Sequence, residues 1–348
     1  MLIRPARPED APALVALYAR CFDRPIGLGH WRWKYAHPES GFLVEEAGAV
    51  VAHYGGVPYR HVLPDGPGVA CQGADSMTAP EHRRRGLYTA LVRAAHDRWR
   101  ALGHAFVDGA PNENWGRSRE ASGWEPLFQV ELLVRPLRPL AILRRRLGLL
   151  DRDRAGRVPS IAERLAAAVL DRARARRDPS VRVSLERGVG AGIDALWRDC
   201  AGDARIAIVR DAAWIRQRWL AAPDRDYALL VADRGPQAAA GYAVVRIEQR
   251  DGARFAWLAD LLTRAGDEGA QQALLAAATA LARSRGAEKI QALVPPATEL
   301  AHALRLAGLR LARGTAWMQW ARIGSALPLA FVADPRHWRV TGADFDFV

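Results

Sequence analysis

Cysteine and lysine are scarce in this sequence, and long apolar runs are absent from it. Among the 348 residues there are three cysteines, Cys21, Cys71 and Cys200, an odd number of widely spaced thiols. This spacing excludes a disulfide framework and a CxxC metal cage, and it predicts buried thiols in a reducing compartment. No stretch approaches the roughly 20 apolar residues that span a bilayer, and the N-terminus lacks the apolar core of a signal peptide. The sequence therefore predicts a cytoplasmic protein without a metal site.

The net charge of +12 is concentrated in one segment. Between Arg135 and Arg182 there are fourteen arginines and five acids, which leaves little excess charge for the rest of the chain. Nucleic-acid binding is typical of a basic surface formed by the fold itself, so this confinement argues against a nucleic-acid partner. Residues 136–177 instead have the pattern of amphipathic helices in a linker. Their arginines are either solvated or in weak contact with an anionic membrane surface.

Two parts of the chain repeat the same order of features. Each has a strand segment ending in Thr, a helical pattern, a Gly and an apolar strand: Gly73–Thr78, Leu87–Ala101, Gly103 and Ala105–Val107, then Leu258–Thr263, Ala270–Arg285, Gly286 and Ile290–Val294. This alternation predicts an α+β fold with mixed sheets flanked by helices. We expect two similar domains, joined by the basic linker and followed by a tail: residues 1–135, 136–182, 183–323 and 324–348, in chain order.

The loop that follows Thr78 in the first repeat favours an anion. It runs through Pro80 into Arg83–Arg85 and Gly86, and then directly into a helix. Free backbone N–H groups and the macrodipole at a helix N-terminus attract negative charge. Glycine permits close approach of the backbone, and arginines add charge-assisted hydrogen bonds. The loop thus predicts a pyrophosphate site, with a solvated helix start as the alternative.

These residues resemble the signature of the GNAT superfamily, the acyl-CoA-dependent N-acyltransferases. The signature Arg/Gln-x-x-Gly-x-Gly/Ala falls on Arg83, Gly86 and Tyr88. The family's downstream Asn and Gly-Phe elements are similar to Asn112 and to Gly123 with the tryptophan after it. The resemblance covers the first repeat closely and the second only in architecture, so we expect tandem GNAT-like domains with a degenerate second copy.

The resemblance implies that acetyl-CoA is the co-substrate and that the acetyl group passes directly to a primary amine. The strand that carries Ser76 would part from its neighbour and bind the pantetheine arm, and the amides of the loop would hold the pyrophosphate. A backbone amide would hold the oxyanion, a base would deprotonate the ammonium and an acid would reprotonate the thiolate. The residues expected to bind acetyl-CoA are Ser76, Met77, Thr78, Arg83, Arg84, Arg85, Gly86, Leu87, Tyr88, Thr89, Asn112 and Arg119.

The sequence departs from the family pattern at the positions that matter most for catalysis. Tyr88 replaces the final small residue of the signature, which makes the loop tighter. The family's frequent tyrosine acid falls on Arg119, which is a poor proton donor, and the position of a glutamate base falls on Gln72. Asp75 is the nearest carboxylate on that strand and Glu113 is the second choice. The candidate catalytic residues are therefore Asp75, Gln72 and Glu113.

The second repeat lacks the features that would bind a pyrophosphate. Asp267 and Glu268 stand where the arginine cluster should be, and their charge would repel an anion. Asp260 occupies the place of Asp75 in this repeat, so a purely structural role for Asp75 is the alternative to a catalytic one. We expect the second copy to have lost the ability to bind acetyl-CoA and to contribute to the acceptor site or to the fold instead.

An aromatic cluster lies where the family's mobile helical segment covers the acceptor. Trp31, Trp33, Tyr35 and Tyr54 are the candidate acceptor-binding residues, with core packing as the alternative. Aromatic rings suit an amino sugar or polysaccharide precursor, so a small-molecule amine of that kind is the expected acceptor. The alternatives are an aminoacyl or peptidyl acceptor, and a non-catalytic regulatory protein that binds CoA or a lipid surface.

Overall fold

The computed structural model describes residues 1–22, 25–109, 122–147, 178–235 and 239–345. Of the basic linker, only its two ends lie within these ranges. Of residues 136–177, over which the sequence predicts amphipathic helices, 148–177 lie outside them.

Strands and helices alternate along the chain as the repeat predicts. The strands are β1 (Leu2–Pro5), β2 (Gly41–Glu46), β3 (Ala49–Leu63), β4 (Gly66–Thr78), β5 (Phe106–Gly109), β6 (Trp124–Pro136), β7 (Arg182–Glu186), β8 (Ala207–Ile208), β9 (Tyr227–Asp233), β10 (Ala239–Arg250), β11 (Ala253–Thr263), β12 (Lys289–Val294) and β13 (Arg310–Arg322). The helices are α1 (Ala11–Phe22), α2 (Leu28–Lys34), α3 (Leu87–Ala101), α4 (Pro139–Arg146), α5 (Gly192–Cys200), α6 (Ala212–Ile215, continued by a π-helical segment, Arg216–Leu220), α7 (Glu268–Ser284), α8 (Glu299–Leu306) and α9 (Leu329–Val332). None of the helices described here is both long and apolar enough to cross a membrane.

The strands form one continuous mixed sheet. Its order is β1-β2-β3-β4-β5-β13-β6-β12-β11-β10-β9-β7, and β8 pairs with β3. β4 and β5 are parallel and are connected through α3, while β11 and β12 are parallel and are connected through α7. The neighbouring strands otherwise pair in antiparallel fashion. The mixed α+β fold class predicted from the sequence is confirmed.

The same element order occurs twice: β2-β3-β4-α3-β5 and β9-β10-β11-α7-β12. In each half the third strand carries a β-bulge, opposite His53–Gly55 in the first and opposite Val244 and Val245 in the second. The boundaries that the sequence suggests for the two domains stay a prediction.

The last strand of each half lies in the sheet of the other half, which the sequence did not predict. β13, from the end of the second half, pairs with β5 over Gln319↔Gly109 to Arg322↔Phe106. β6, from the end of the first half, pairs with β12 over Lys289↔Pro136 to Val294↔Glu131. This exchange joins the two sheets and leaves neither with an open edge at the junction.

Amphipathic helices cover one face of the sheet. In α3 the buried residues Leu87, Leu91, Ala95 and Trp99 recur at intervals of four, which places them on one stripe of the helix. They pack with Val107 of β5. The helix runs over Leu87–Ala101 as predicted because this stripe starts directly after Gly86 and ends before Gly103.

The C-terminal tail covers the opposite face. Phe106 is adjacent to Val107 on β5, so its side chain points to the other side of the sheet. There it lies 5.7 Å from the ring of Trp338, which also contacts Phe128 at 5.9 Å. Trp338 forms a backbone bridge to Ile206 as well. The tail is thus part of the core between the two halves.

Candidate functional site

The two parallel strands β4 and β5 pair over only two positions. Cys71 pairs with Val107 and Gln72 pairs with Asp108. β4 continues beyond this point over Gly73–Thr78, while the described part of β5 ends at Gly109. Within the described residues, this segment of β4 keeps its ladder to β3 and has none to β5. Its backbone groups on the β5 side are therefore oriented to receive an extended ligand.

A β-bulge turns the backbone of β4 within this segment. Its pairing with β3 shifts between His53↔Met77 and Gly55↔Ala74, so that Asp75 and Ser76 oppose one residue. Asp75 has φ +46°, in the left-handed region that Asp tolerates better than most side chains. A bulge of this kind redirects the strand and the side chain that it carries.

The Asp75 carboxylate is held by two residues at the C-terminal end of α2. Lys34 Nζ lies 2.7 Å from Asp75 Oδ2, and the hydroxyl of Tyr35 donates to the same oxygen at 2.7 Å. Burial by itself raises the pKa of Asp75, but the Lys34 ammonium and these hydrogen bonds outweigh it and hold the pKa below its ordinary value. A carboxylate held in the ionised form accepts a proton poorly, which favours a positioning role for Asp75.

His53 lies behind this clamp and is buried. Its Nδ1 donates to the backbone carbonyl of Asp75 at 3.0 Å, since a carbonyl can only accept. Burial lowers the pKa of His53 to about 4, so the ring is neutral near pH 7. The rings of Trp31 and Tyr35 pack against it at 5.3 and 5.5 Å. His53 therefore stabilises the bulge through its hydrogen bond to the Asp75 carbonyl, and its ring carries no charge near pH 7.

Gly55 provides the space that Tyr35 occupies beside the bulge. A Cβ at this position would overlap the Tyr35 hydroxyl and lie 2.8 Å from the carbonyl oxygen of Ala74. We expect Gly55→Ala to displace Tyr35 from Asp75 and to lower the free energy of unfolding by about 1–3 kcal/mol, because overpacked interiors must shift. Urea denaturation measures this loss. Gly188→Ala, where a Cβ meets nothing within 4 Å, is the matched control, and equal losses in both variants would contradict the steric argument.

Two residues with left-handed backbone lie in the loop before α3. Arg84 has φ +62° and Gly86 has φ +75°, so left-handed residues alternate with Arg85 between them. Such alternation points successive N–H groups inward and makes an anion-binding nest. Gly86 is the N-cap of α3, and none of the side chains that the structure describes caps the helix. The first N–H groups of α3 are therefore left for a ligand.

The three arginines of the loop have different surroundings. Arg85 makes a bidentate ion pair with Glu46 at 2.8 Å for both bonds. Arg83 donates to the backbone carbonyl of Thr78 at 3.2 Å. Within the described residues the Arg84 side chain has no hydrogen bond or ion pair, and it is exposed. Arg84 is therefore the guanidinium most readily available to a bound anion.

The other expected acetyl-CoA residues divide by burial. Met77 and Leu87 are in the core, so only their backbones are available to a ligand, whereas Ser76, Thr78 and Thr89 are half-buried. Tyr88 packs against the core, where its ring lies 6.0 Å from the ring of Tyr54. The remaining predicted site residues lie outside the described residues: Asn112, Glu113 and Arg119.

The four aromatic residues expected at the acceptor do not share one surface. Tyr54 is 1% exposed and hydrogen-bonds His96 Nε2 at 3.0 Å on the α3 side of the sheet. Trp31 is buried against α1. This geometry does not support acceptor contacts for Tyr54 and Trp31, because strand alternation and the helix stripe turn both rings into the core. Trp33 and Tyr35 remain half-buried beside the clamp.

Residues 217–224 of the second half hold α2 in place, a contact that sequence reasoning missed. Trp33 Nε1 donates to the carbonyl of Gln217 at 2.7 Å, and His30 Nδ1 lies 2.6 Å from Asp224 Oδ1. The guanidinium of Arg218 lies over the ring of Trp33 at 5.9 Å. The second half thus positions the helix that clamps Asp75, and no local pattern in the sequence signals such a contact.

In the second half, a side chain of the equivalent loop takes the place of a bound anion. Asp267 caps α7 by accepting a hydrogen bond from the amide of Ala270 at 3.0 Å, and it pairs with Arg234 at 2.7 Å. A carboxylate therefore occupies the place that a phosphate would take. Asp260, at the second bulge, is fully buried and is paired with Arg210 and with the Tyr242 hydroxyl. Each bulge thus carries an aspartate held by a cation and a tyrosine.

The described ranges contain no cluster of side chains that could form a metal site. No group of three or more His, Cys, Asp or Glu side chains among these residues could hold a metal ion.

Comparison with known proteins places the first half in a family. Residues 2–126 match the model of the acetyltransferase (GNAT) domain. No curated protein matches the chain in sequence. Solved structures resemble it over both halves. A GCN5-related N-acetyltransferase from Anabaena variabilis is 14% identical with a TM-score of 0.65, and the match covers 93% of this chain and 73% of that one.

Two further structures have the same fold. A GCN5-related N-acetyltransferase from Kribbella flavida is 15% identical with a TM-score of 0.61, over 93% of this chain and 71% of that one. A protein from Enterococcus faecalis described as a probable N-acyltransferase is 12% identical with a TM-score of 0.63, over 93% and 73%. Residues 2–126 therefore match a GNAT acetyltransferase domain, and the fold of the chain over both halves resembles that of solved N-acyltransferase structures.

Proposed function

We propose that the protein transfers an acetyl group from acetyl-CoA to the primary amine of a small molecule by direct attack. The observation that carries the proposal is the start of α3, with its nest at Arg84 and Gly86, next to the segment of β4 that has no ladder to the described part of β5. The nest would hold the pyrophosphate, and the backbone of Gly73–Thr78 would bind the pantetheine arm. The second half, whose loop is capped by Asp267, would bind no acetyl-CoA.

In this reaction the chain would supply binding, orientation and proton transfer. The amine nitrogen attacks the thioester carbonyl carbon, and a backbone amide at the bulge stabilises the oxyanion. Lys34 and Tyr35 keep Asp75, and with it the bulge, in place. Asp75 therefore acts as a positioning residue in this proposal. The roles predicted for Gln72, Glu113, Asn112 and Arg119 stay predictions.

The acceptor that we propose is an amine with a polar, ring-shaped body, such as an amino sugar or polysaccharide precursor. Trp33 and Tyr35 are the half-buried rings beside the clamp, and aromatic faces stack on sugar rings. Trp31 and Tyr54 lie in the core, so only two of the four aromatic residues predicted at the acceptor site support this proposal. Three further expectations stay predictions: the absence of a nucleic-acid partner, the weak membrane contact of residues 136–177 and the cytoplasmic location. Within residues 136–177, Arg145 forms an ion pair with Glu288.

Calorimetric titration with acetyl-CoA tests the proposal, with pantetheine as a comparison ligand that lacks the pyrophosphate and nucleotide. We expect micromolar binding of acetyl-CoA and much weaker binding of pantetheine. Release of free CoA thiol is then followed with glucosamine, phenethylamine and lysine ethyl ester as acceptors. No binding of acetyl-CoA would contradict the proposal. Equal affinity for pantetheine would contradict the assignment of the nest to the pyrophosphate.

A further inference from the structure

A buried carboxylate without a cation lies where β4 and β5 part. Asp108 is the register partner of Gln72 at the last paired position of the two strands, and it is 5% exposed. Within the described residues it forms no ion pair and no hydrogen bond with another side chain, and the hydrogen bond that its carboxyl accepts comes from the Asp108 backbone. A buried charge without a partner is costly, so such a group is retained for a function more often than for stability.

Gln72 beside it has an unsatisfied group of its own. The side chain is 3% exposed, and its Nε2 is buried without a hydrogen-bond partner. Gln72 and Asp108 lie on adjacent strands, yet neither is bonded to the other. The two polar groups therefore lie side by side on this face of the sheet, next to the backbone segment proposed to hold the pantetheine arm.

The face of the sheet on which Asp108 lies is the face opposite α3. Asp108 and Phe106 alternate with Val107 along β5, and Phe106 packs under the tail residue Trp338. On the neighbouring strand β13, Trp320 is the register partner of Asp108 and donates to Glu125 at 3.2 Å. The exchanged strand of the second half thus forms one wall around Asp108.

Resting on the proposed function, we infer that Asp108 is the group that takes the proton from the acceptor amine, in place of the glutamate base whose position is occupied by Gln72. The ammonium form of the acceptor gives one proton to the Asp108 carboxylate, directly or through one water. The nitrogen lone pair then forms the C–N bond, the C–S bond breaks and sulfur takes its electron pair. The remaining proton lost by nitrogen goes to sulfur, and Asp108 returns its proton to solvent.

The electrostatic surroundings agree with this role. Burial raises the pKa of Asp108 well above its ordinary value, and the nearby Asp344 carboxylate adds to the shift. Asp344 is itself paired with Arg210 at 2.6 Å. His61, on the same face of β3, has its pKa lowered to about 4 by burial and is neutral near pH 7. A base is most effective when its pKa lies near the working pH, and Asp75 is shifted in the opposite direction.

Asp108→Asn tests the inference through activity and the pH profile. We expect a fall of about 100-fold in kcat/KM for amines that are protonated at the assay pH, with unchanged binding of acetyl-CoA in the calorimeter. The acidic limb of the pH profile should disappear. Hydroxylamine, which is already neutral near pH 7, should be acetylated with a much smaller loss. Asp97→Asn, on the exposed side of α3, is the matched control.

The same variant gives a readout that needs no acceptor. A carboxyl whose folded pKa is raised contributes stability that is present below the unfolded pKa of about 4 and is lost as the pH rises through the folded pKa. Asp108→Asn removes the carboxyl and with it this loss of stability at high pH. The thermal midpoint of the variant should therefore exceed that of the wild type near pH 8, and the difference should shrink as the pH falls. A lower midpoint near pH 8 would show that Asp108 is a paired structural residue and would overturn the inference.

The outcomes separate this inference from the proposed function. If the wild type binds and transfers the acetyl group and Asp108→Asn does so at the same rate with the same pH profile, the inference is wrong and the proposed function stands. If the wild type does not bind acetyl-CoA, both are wrong.

Discussion

Arg84→Glu is expected to weaken acetyl-CoA binding by roughly 100-fold or more. Arg84 is the arginine of the loop that has no partner among the described residues, and it lies in the nest at φ +62°. A charge-assisted hydrogen bond to a phosphate contributes about 1.5–3 kcal/mol, and each 1.4 kcal/mol is a factor of ten in affinity. Reversal of the charge adds repulsion to this loss. Calorimetric titration of the variant measures it.

Arg93→Glu is the matched control for this prediction. Arg93 is exposed on α3, away from the loop, and the substitution changes the net charge equally. We expect its affinity for acetyl-CoA to stay within a few-fold of the wild type. Arg85→Glu should be intermediate, because Arg85 is already engaged with Glu46. Equal losses in the Arg84 and Arg93 variants would show that only long-range charge attracts acetyl-CoA.

Arg210→Met is expected to lower the free energy of unfolding by about 3–5 kcal/mol. Arg210 is fully buried between two carboxylates, Asp260 at 3.2 Å and Asp344 at 2.6 Å. Without the guanidinium both carboxylates remain buried with no cation, which is the most costly way to break an ion pair. A loss of this size is a large part of the roughly 5–15 kcal/mol that stabilises a typical protein. Urea denaturation near pH 7 provides the measurement.

The effect should depend on pH in a defined direction. Burial raises the pKa of Asp344 and Arg210 opposes this shift, so without Arg210 the stability that this carboxyl contributes is present at acid pH and is lost as the pH rises. The difference from the wild type should therefore shrink as the pH falls toward 4. Arg234→Met is the control, because Arg234 also joins two aspartates but lies on the surface. If both variants lose the same small amount of stability, the Arg210 cluster is solvated and the argument is wrong.

The local elements of the site were predictable because they depend on neighbours in sequence. The Leu87, Leu91, Ala95 and Trp99 stripe, with Gly86 at its start, predicts α3, and the helix runs over the predicted residues. The β-α-β order of both halves follows from the same kind of pattern. The charged cap at Asp267 was expected to exclude an anion from the second loop, and its carboxylate does cap α7.

Other features could not be predicted, because alternation along a strand tells which residues share a face but not what covers that face. His53 and Tyr54 are adjacent on β3, and only the packing of α2 and α3 decides that His53 lies behind the Asp75 clamp and Tyr54 in the core. The exchange of β6 and β13 could not be predicted for the same reason. The apolar pattern of each strand is compatible with pairing in either half, and only the tertiary structure decides between them.

By itself the sequence determined the repeated order of elements, the start of α3 and the loop of arginines and glycine before it, because these features arise from contacts within a few residues. The tertiary structure alone decided which carboxylates have cations. Asp75 is held by Lys34, Asp260 by Arg210, and Asp108 by no cation in the described chain. Charge interactions and burial depend on distances in space, and these distances join residues far apart in the chain.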